Sequence, residues 1–284
     1  MSVKIIQERL ESYQCQSVQE EEYALREITQ EVALAALSRS DFFKLAAFHG
    51  GTCLRIYYSL NRFSEDLDFM LKDPDPHFDL EGYLKKVSQE FEAYGYQLEV
   101  ADRSRVDRAV KKAFLKDDSL GKVLQLSHLR ADRSMRKIKI KVEVDTNPPS
   151  GAIFENKFLD FPFACSSTVL EMSSLFAGKI HALLCREYVK GRDWYDFIWY
   201  VSRNAAINFE FLGKALDQQG SWMGQGVVVD KDWFLEQMEK KICSLAWDKM
   251  KEDVVGFVKP IDRVSIDLWS KEFFLDCLGK CISE

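Results

Sequence analysis

Residues 137–145, KIKIKVEVD, alternate apolar and polar side chains without a break. Ile138, Ile140, Val142 and Val144 share one face, while Lys139, Lys141, Glu143 and Asp145 share the other, the period of a half-buried strand. Pro148-Pro149-Ser150-Gly151 closes it. Residues 62–71, RFSEDLDFML, set Leu67, Phe69 and Leu71 against Asp66 and Asp68, so both aspartates face one side of a second strand. The short apolar run 42–49, closed by Gly50-Gly51, reads as a buried strand. Helical spacing predicts helices over 18–39 (Leu25, Ile28, Val32, Ala35, Ala36), 52–60, 79–96 (Leu80, Tyr83, Leu84, Val87, Phe91) and 108–116. From about residue 170 the pattern turns helical. Helices are expected over 171–188, after a break at Gly191, and over 209–217, 232–247 and 270–281. The expected fold class is α+β: a mixed α/β half over 1–160, then a helical half over 161–284.

The length of 284 residues, roughly twice a typical ~150-residue domain, fits that division. With 46% hydrophobic and 30% charged residues, the chain is neither disordered nor fibrous. No stretch approaches the ~20 apolar residues of a membrane span, and the first residues lack the apolar core of a signal peptide, so no membrane partner is expected. The seven cysteines are scattered, with no CxxC pair. That argues against a disulfide framework or a zinc site and fits a reducing cytoplasm. Net charge is −6, but residues 101–141 carry thirteen Lys/Arg against five Asp, a local +8 that leaves −14 elsewhere. Such a run is either a solvated face or a groove for a polyanion.

Chemistry concentrates in one ordered block: a buried run, Gly50-Gly51-Thr52, a short helix, then a strand bearing Asp66-x-Asp68. Carboxylates one residue apart on a strand point the same way, and their oxygens can share a pair of Mg²⁺ ions (or Mn²⁺) that keep room for substrate phosphates. Paired glycines let backbone N–H groups approach a phosphate, and the following helix start adds partial positive charge. Taken alone, an Asp-x-Asp pair is a solvated strand face and a Gly-Gly pair is a turn. The ordered combination describes a site for a nucleoside triphosphate and its metals.

Residues 48–70, FHGGTCLRIYYSLNRFSEDLDFM, resemble the signature of the AbiEii-type nucleotidyltransferases. These are the toxins of AbiE-like toxin–antitoxin systems, within the DNA-polymerase-β-like nucleotidyltransferase superfamily. The pattern GGTxLRxxY followed by RFSEDLDF is matched by Gly50 to Arg55 and by Arg62 to Phe69. The segment from Lys179 to Arg186 resembles the family's K-(I/L)-x-A-L-x-x-R helix, and Gly191 to Asp196 its RDxxD element. The match is ordered along about 40–260.

The resemblance implies a polymerase-β-like fold, a mixed sheet flanked by helices with the helical domain completing an active-site cleft, and roles for particular residues. Asp66 and Asp68 would hold the metals. A third carboxylate would come from Glu143, whose place in the K-V-E-V run fits better than that of Asp145; both could instead be surface acids balancing Lys139 and Lys141. Gly50, Gly51 and Thr52, with Ser64, would hold the β- and γ-phosphates. Lys179 and Arg186, two helical turns apart, would neutralise the triphosphate. Asp193 has a plain reading as a helix N-cap. For Asp196 the resemblance implies a place near the nucleotide or the attacking group, acting as a base. The aromatic cluster Trp194, Tyr195, Phe197, Trp199 and Tyr200 reads as core rather than a stacking platform. His49 reads as a packed strand end and Cys53 as an inert core thiol.

The expected function is transfer of a nucleoside monophosphate from an NTP to an acceptor, with release of pyrophosphate. The resemblance adds a toxin restrained by a cognate antitoxin, and an RNA acceptor, tRNA first. Two alternatives stand beside it. AMP transfer to a protein hydroxyl would show weak salt dependence of acceptor binding. A non-catalytic nucleotide-binding module would bind NTP without forming pyrophosphate.

Overall fold

The computed structural model describes residues 2–97, 99–102, 109–117, 124 and 138–281. A mixed seven-stranded sheet has the order β3-β4-β5-β2-β1-β7-β6. Its strands are β1 (Ala46–His49), β2 (Asp66–Leu71), β3 (Glu99–Asp102), β4 (Val110–Asp117), β5 (Ile138–Asp145), β6 (Phe154–Leu159) and β7 (Cys165–Leu170). β1 runs antiparallel to β2, and β2 runs parallel to β5. β4 is antiparallel to both β3 and β5.

The chain divides into two compact units. The first comprises Met1–Tyr58, Ser64–Pro148 and Asn156–Val169. Its helices are α1 (Ser2–Ser12), α2 (Val18–Ser38), the single turn α3 (Phe42–Leu45), α4 (Gly50–Tyr58) and α5 (Leu80–Glu92). The period-two faces seen in the sequence build the core: Leu67, Phe69, Ile140, Val142 and Val144 are buried, and α2 packs against β5 and α5. The Ser17 hydroxyl accepts from Glu20 N–H and starts α2, and Asp79 accepts from Gly82 N–H and starts α5.

The second unit comprises Ser59–Phe63, Pro149–Glu155 and Leu170–Glu284. It holds α6 (Met172–Cys185), α7 (Gly191–Val201), α8 (Phe209–Gln218), α9 (Lys231–Cys243), α10 (Trp247–Val255), α11 (Val264–Asp267) and α12 (Lys271–Lys280). Its core is aromatic. Trp247 and Phe274 stack at 4.0 Å, and Trp194 meets both edge-on. Of the aromatic cluster on α7, Trp194, Phe197, Trp199 and Tyr200 are buried. Among the described residues no helix is long and apolar enough to cross a membrane.

Four expectations change. Residues 110–117 form strand β4 rather than a helix, because Ala113, Leu115 and Asp117 are buried in alternation and hydrogen bonds to β3 and β5 satisfy both backbone edges. Only 46–49 of the apolar run 42–49 is strand; the preceding four residues coil into α3 and bury Phe42 and Phe43. Gly191 does not break a helix but begins α7, with Lys190 rather than Asp193 at the N-cap. A Cβ on Gly191 would stand 2.0 Å from the Met250 carbonyl oxygen, so the close helix contact requires glycine. The segment 232–247 is two helices, α9 and α10, parted by a turn at Ser244–Ala246.

Candidate active site

The first cluster lies on the polar face of β2 and β5. Parallel register sets Asp66 opposite Lys141, Asp68 opposite Glu143, and Met70 opposite Asp145. Partners in a ladder share a face, so Asp66, Asp68, Lys141 and Glu143 form one contiguous patch. Asp145 lies one pleat further on, where its Oδ1 accepts from the Asn147 N–H at 2.9 Å and closes the turn after β5.

α4 begins beside this patch. Gly50 has φ +79°, and a Cβ there would stand 2.7 Å from Asp68 Oδ2. Only glycine lets the chain turn this tightly from β1 into α4. The close approach puts the start of a helix, with its partial positive charge, against the Asp68 carboxylate. Thr52 is buried in the next positions, and its hydroxyl donates to the Asp66 carbonyl oxygen at 2.5 Å, tying α4 to β2. The Ser64 carbonyl accepts from Gln30 Nε2 at 3.2 Å, and Arg26 Nη1 meets Glu65 Oε1 at 2.7 Å. The loop into β2 is thereby fastened to α2.

The electrostatics of the patch are those of crowded acids. Burial, followed by the charge of Asp68, raises Asp66 to about 6, with Glu143 and Glu65 adding to the shift and Lys141 opposing it. Burial works against the Lys141 ammonium, but the hydrogen bond and charge of Glu143, with Asp66 and Asp68, outweigh it and raise its pKa. Lys141 Nζ pairs with Glu143 Oε2, and Lys112 Nζ lies 3.4 Å from Glu143 Oε1. Among the described residues no three acidic, histidine or cysteine side chains converge tightly enough to hold a metal unaided. Asp66 and Asp68 nevertheless offer hard oxygen donors whose mutual repulsion a divalent cation would relieve, and Glu143 could join them by leaving its lysines.

The second cluster lies within the helical unit. Arg62 grips Asp196 with two hydrogen bonds, Nε to Oδ1 and Nη2 to Oδ2, each 2.6 Å. Lys179 Nζ stands 2.8 Å from Asp196 Oδ2 and 2.6 Å from Asp193 Oδ1. Arg186 Nη1 donates to Asp193 Oδ2 at 2.5 Å. Asp196 has no exposed surface, and Arg62 and Asp193 are buried. Burial would raise the Asp193 carboxyl, but Lys179 and Arg186 hold it well below the usual range.

The sequence matches the family model described as "Nucleotidyl transferase AbiEii toxin, Type IV TA system" over residues 32–276. The chain belongs to the AbiEii nucleotidyltransferase toxin family. It is therefore a nucleotidyltransferase of a type IV toxin–antitoxin family, which implies a nucleotide substrate and an antitoxin partner. Two solved structures from Helicobacter pylori share the fold. One, named as a candidate nucleotidyltransferase, is 16% identical with a TM-score of 0.50, covering 89% of this chain and 90% of that one. The other, JHP933, is 16% identical with a TM-score of 0.51, covering 90% and 88%. No curated protein matches the sequence.

The structure thus gathers Gly50, Thr52, Asp66, Asp68 and Glu143 in the sheet unit, with Gly51 in the first turn of α4. It gathers Lys179, Arg186, Asp193 and Asp196 in the helical unit. Thr52 spends its hydroxyl on β2, leaving its backbone N–H as the group that can serve a phosphate. Three placements differ from expectation. Lys179, expected at the triphosphate, has its ammonium held between Asp193 and Asp196. Arg186 lies just past the end of α6, at φ −69° and ψ 128°, so it reaches Asp193 from a C-cap rather than along a helix face. Asp196 has both oxygens occupied by cations, the situation of a buried anchor rather than a base. Sequence reasoning gave no individual role to Arg62 or Lys112, and named Lys141 only as a charge that Glu143 or Asp145 could balance, the pairing it makes with Glu143. Arg62 opens the RFSEDLDF block, and that position was its only signal.

Proposed function

We propose that this chain transfers a nucleoside monophosphate from an NTP to an RNA hydroxyl, tRNA being the first candidate, as the toxin of its system. The observation that carries the reading is the patch on β2 and β5: Asp66 and Asp68 side by side, Glu143 opposite Asp68, and the start of α4 against them. In the reaction the acceptor oxygen forms a bond to the α-phosphorus and the bond to the bridging oxygen of pyrophosphate breaks. The hydroxyl proton leaves to solvent through a carboxylate of this face. Mg²⁺ (or Mn²⁺), held by Asp66 and Asp68 with Glu143 as third ligand, would supply charge neutralisation for the triphosphate and the developing charge on the leaving group.

The chain's own residues orient the reactants. Gly50, Gly51 and Thr52 present first-turn N–H groups, which have no acceptor within the helix, to the β- and γ-phosphates. Ser64 stands at the entry to β2. Arg186, half exposed at the edge of its network, is the cation of the helical unit best able to meet a phosphate. Lys179 acts by holding Asp193 and Asp196 in place. Such preorganised charge is most of what transfer of a phosphoryl-type group requires.

The test is incubation of the protein with total RNA, Mg²⁺ and each α-labelled NTP in turn. One labelled RNA species with one nucleotide is the expected result. Label appearing on protein instead would put AMP transfer to a protein hydroxyl in its place. NTP binding without pyrophosphate release would leave a nucleotide-binding module. The arginines Arg130, Arg133 and Arg136, which the sequence sets in the +8 segment, lie outside the described residues.

A further inference from the structure

The sheet face that carries Asp66 and Asp68 continues beyond β5 as a strip of lysines around one aromatic ring. Lys141, opposite Asp66, has Phe114 as its partner on β4. Lys112 stands opposite Glu143, and Lys116 stands opposite Lys139. All of these residues share the face of the acidic patch, because ladder partners point the same way. Two features of the strip are uncommon on the polar face of a sheet. Like charges directly opposite each other destabilise a sheet, yet Lys116 and Lys139 are so placed. An aromatic ring belongs on the buried face, yet Phe114 is only half-buried on the polar one, with the Lys139 ammonium 4.1 Å from its centroid. Lys116 reaches Glu99 at 3.5 Å, and Lys112 shares Glu143 with Lys141. Among the described residues, Lys112 and Lys141 thus turn toward Glu143, and Lys141 also toward Asp66 and Asp68, whereas Lys116 meets Glu99 and Lys139 meets the Phe114 ring.

We propose that this strip is the track for a single-stranded RNA acceptor. Lys112, Lys116 and Lys139 neutralise its backbone phosphates, and Phe114 stacks one base. The inference rests on the nucleotidyl-transfer reading above and adds where the acceptor lies. Neighbouring strands are about 4.8 Å apart, so Phe114, two strands over, is about 10 Å from Asp66 across the sheet. A strand held there by phosphates and one stacked base leads its hydroxyl onto the carboxylates. Cationic contacts and a ring are the sequence-tolerant means of holding a single strand.

The experiment is fluorescence anisotropy of the full chain with a short labelled single-stranded RNA over a salt series. Each lost phosphate contact on a single strand should reduce the log–log salt slope by about 0.7, so Lys116→Gln/Lys139→Gln should flatten it by about 1.4 and weaken binding at low salt. Phe114→Ala should weaken binding about 5- to 100-fold with the slope unchanged, and Phe114→Trp should restore it. NTP affinity should stay the same in all three, and circular dichroism verifies their fold. Wild-type affinity and slope in both the lysine and the alanine variants would overturn the track while leaving RNA as acceptor. A wild-type protein that binds no single-stranded RNA but labels a protein would overturn the RNA reading itself.

Discussion

Arg62 and Asp196 are joined by two parallel hydrogen bonds of 2.6 Å, and neither side chain has appreciable contact with solvent. Lys179 shares the same carboxylate, so removing Asp196 strands the buried Arg62 guanidinium and leaves Lys179 with Asp193 alone. Breaking such a pair from one side costs about 3–5 kcal/mol. Asp196→Ala should therefore lower the unfolding free energy by about that amount in urea titration. Arg62→Lys should fall between wild type and Asp196→Ala, because an ammonium cannot reproduce the two-pronged grip. A near-neutral Asp196→Ala would show that the pair is dispensable for folding and leave Asp196 open to a chemical role.

Loss of either aspartate on β2 should separate activity from stability. Asp66→Asn and Asp68→Asn should each reduce nucleotidyl transfer at least ~10²–10³-fold, comparable to removing a key electrostatic group. Rates of pyrophosphate release measure this. Wild-type rates from both variants would put the site elsewhere.

The crowding of Asp66 gives a pH signature in the metal-free protein. Its pKa is raised from an ordinary 3.8 to about 6, so the folded state holds the proton more tightly than the unfolded state does. Stability is then highest at low pH with respect to this group and falls as pH rises from about 4 to about 6. After allowance for partial exposure, the loss is on the order of 1–2 kcal/mol. Asp66→Asn should remove that slope and melt higher than wild type at pH 7 in EDTA. An unchanged slope would mean that another group carries it.

Register separates Glu143 from Asp145. Glu143 stands opposite Asp68, whereas Asp145 stands opposite Met70 and closes a turn. Glu143→Gln should depress transfer about 10²-fold or more, like the Asp68 variant, and weaken Mg²⁺ binding measured calorimetrically. Asp145→Asn should change activity by no more than a fewfold. Equal, mild effects from the two would mean that two carboxylates suffice.

Gly50 links conformation to the site. At φ +79° an alanine is strained, and its Cβ would collide with the Asp68 carboxylate. Gly50→Ala should cost about 1–3 kcal/mol in thermal or urea unfolding and lower transfer by displacing Asp68. A fully active, fully stable variant would show that the turn relaxes.

The local patterns were legible in the chain itself. Alternation within 66–71 and 138–145 defined two strands and which side chains share their polar faces, since the strand period is written in adjacent residues. Amphipathic spacing did the same for α2, α5, α8 and α12, and the GGT and RFSEDLDF blocks pointed to Asp66 and Asp68. What depended on partners far along the chain was not legible. Residues 110–117 fit a helix or a strand when read alone, and only the hydrogen bonds offered by β3 and β5 decide between them. Whether Glu143 or Asp145 stands beside Asp68 is a matter of register between strands 75 positions apart, and a slip of two would exchange them. Arg62 finds Asp196 across 134 positions of sequence, a pairing that only the packed helices bring about. Sequence periodicity records which face a side chain takes; the tertiary structure decides which charges meet there, because burial and the Coulomb interaction depend on distance in space.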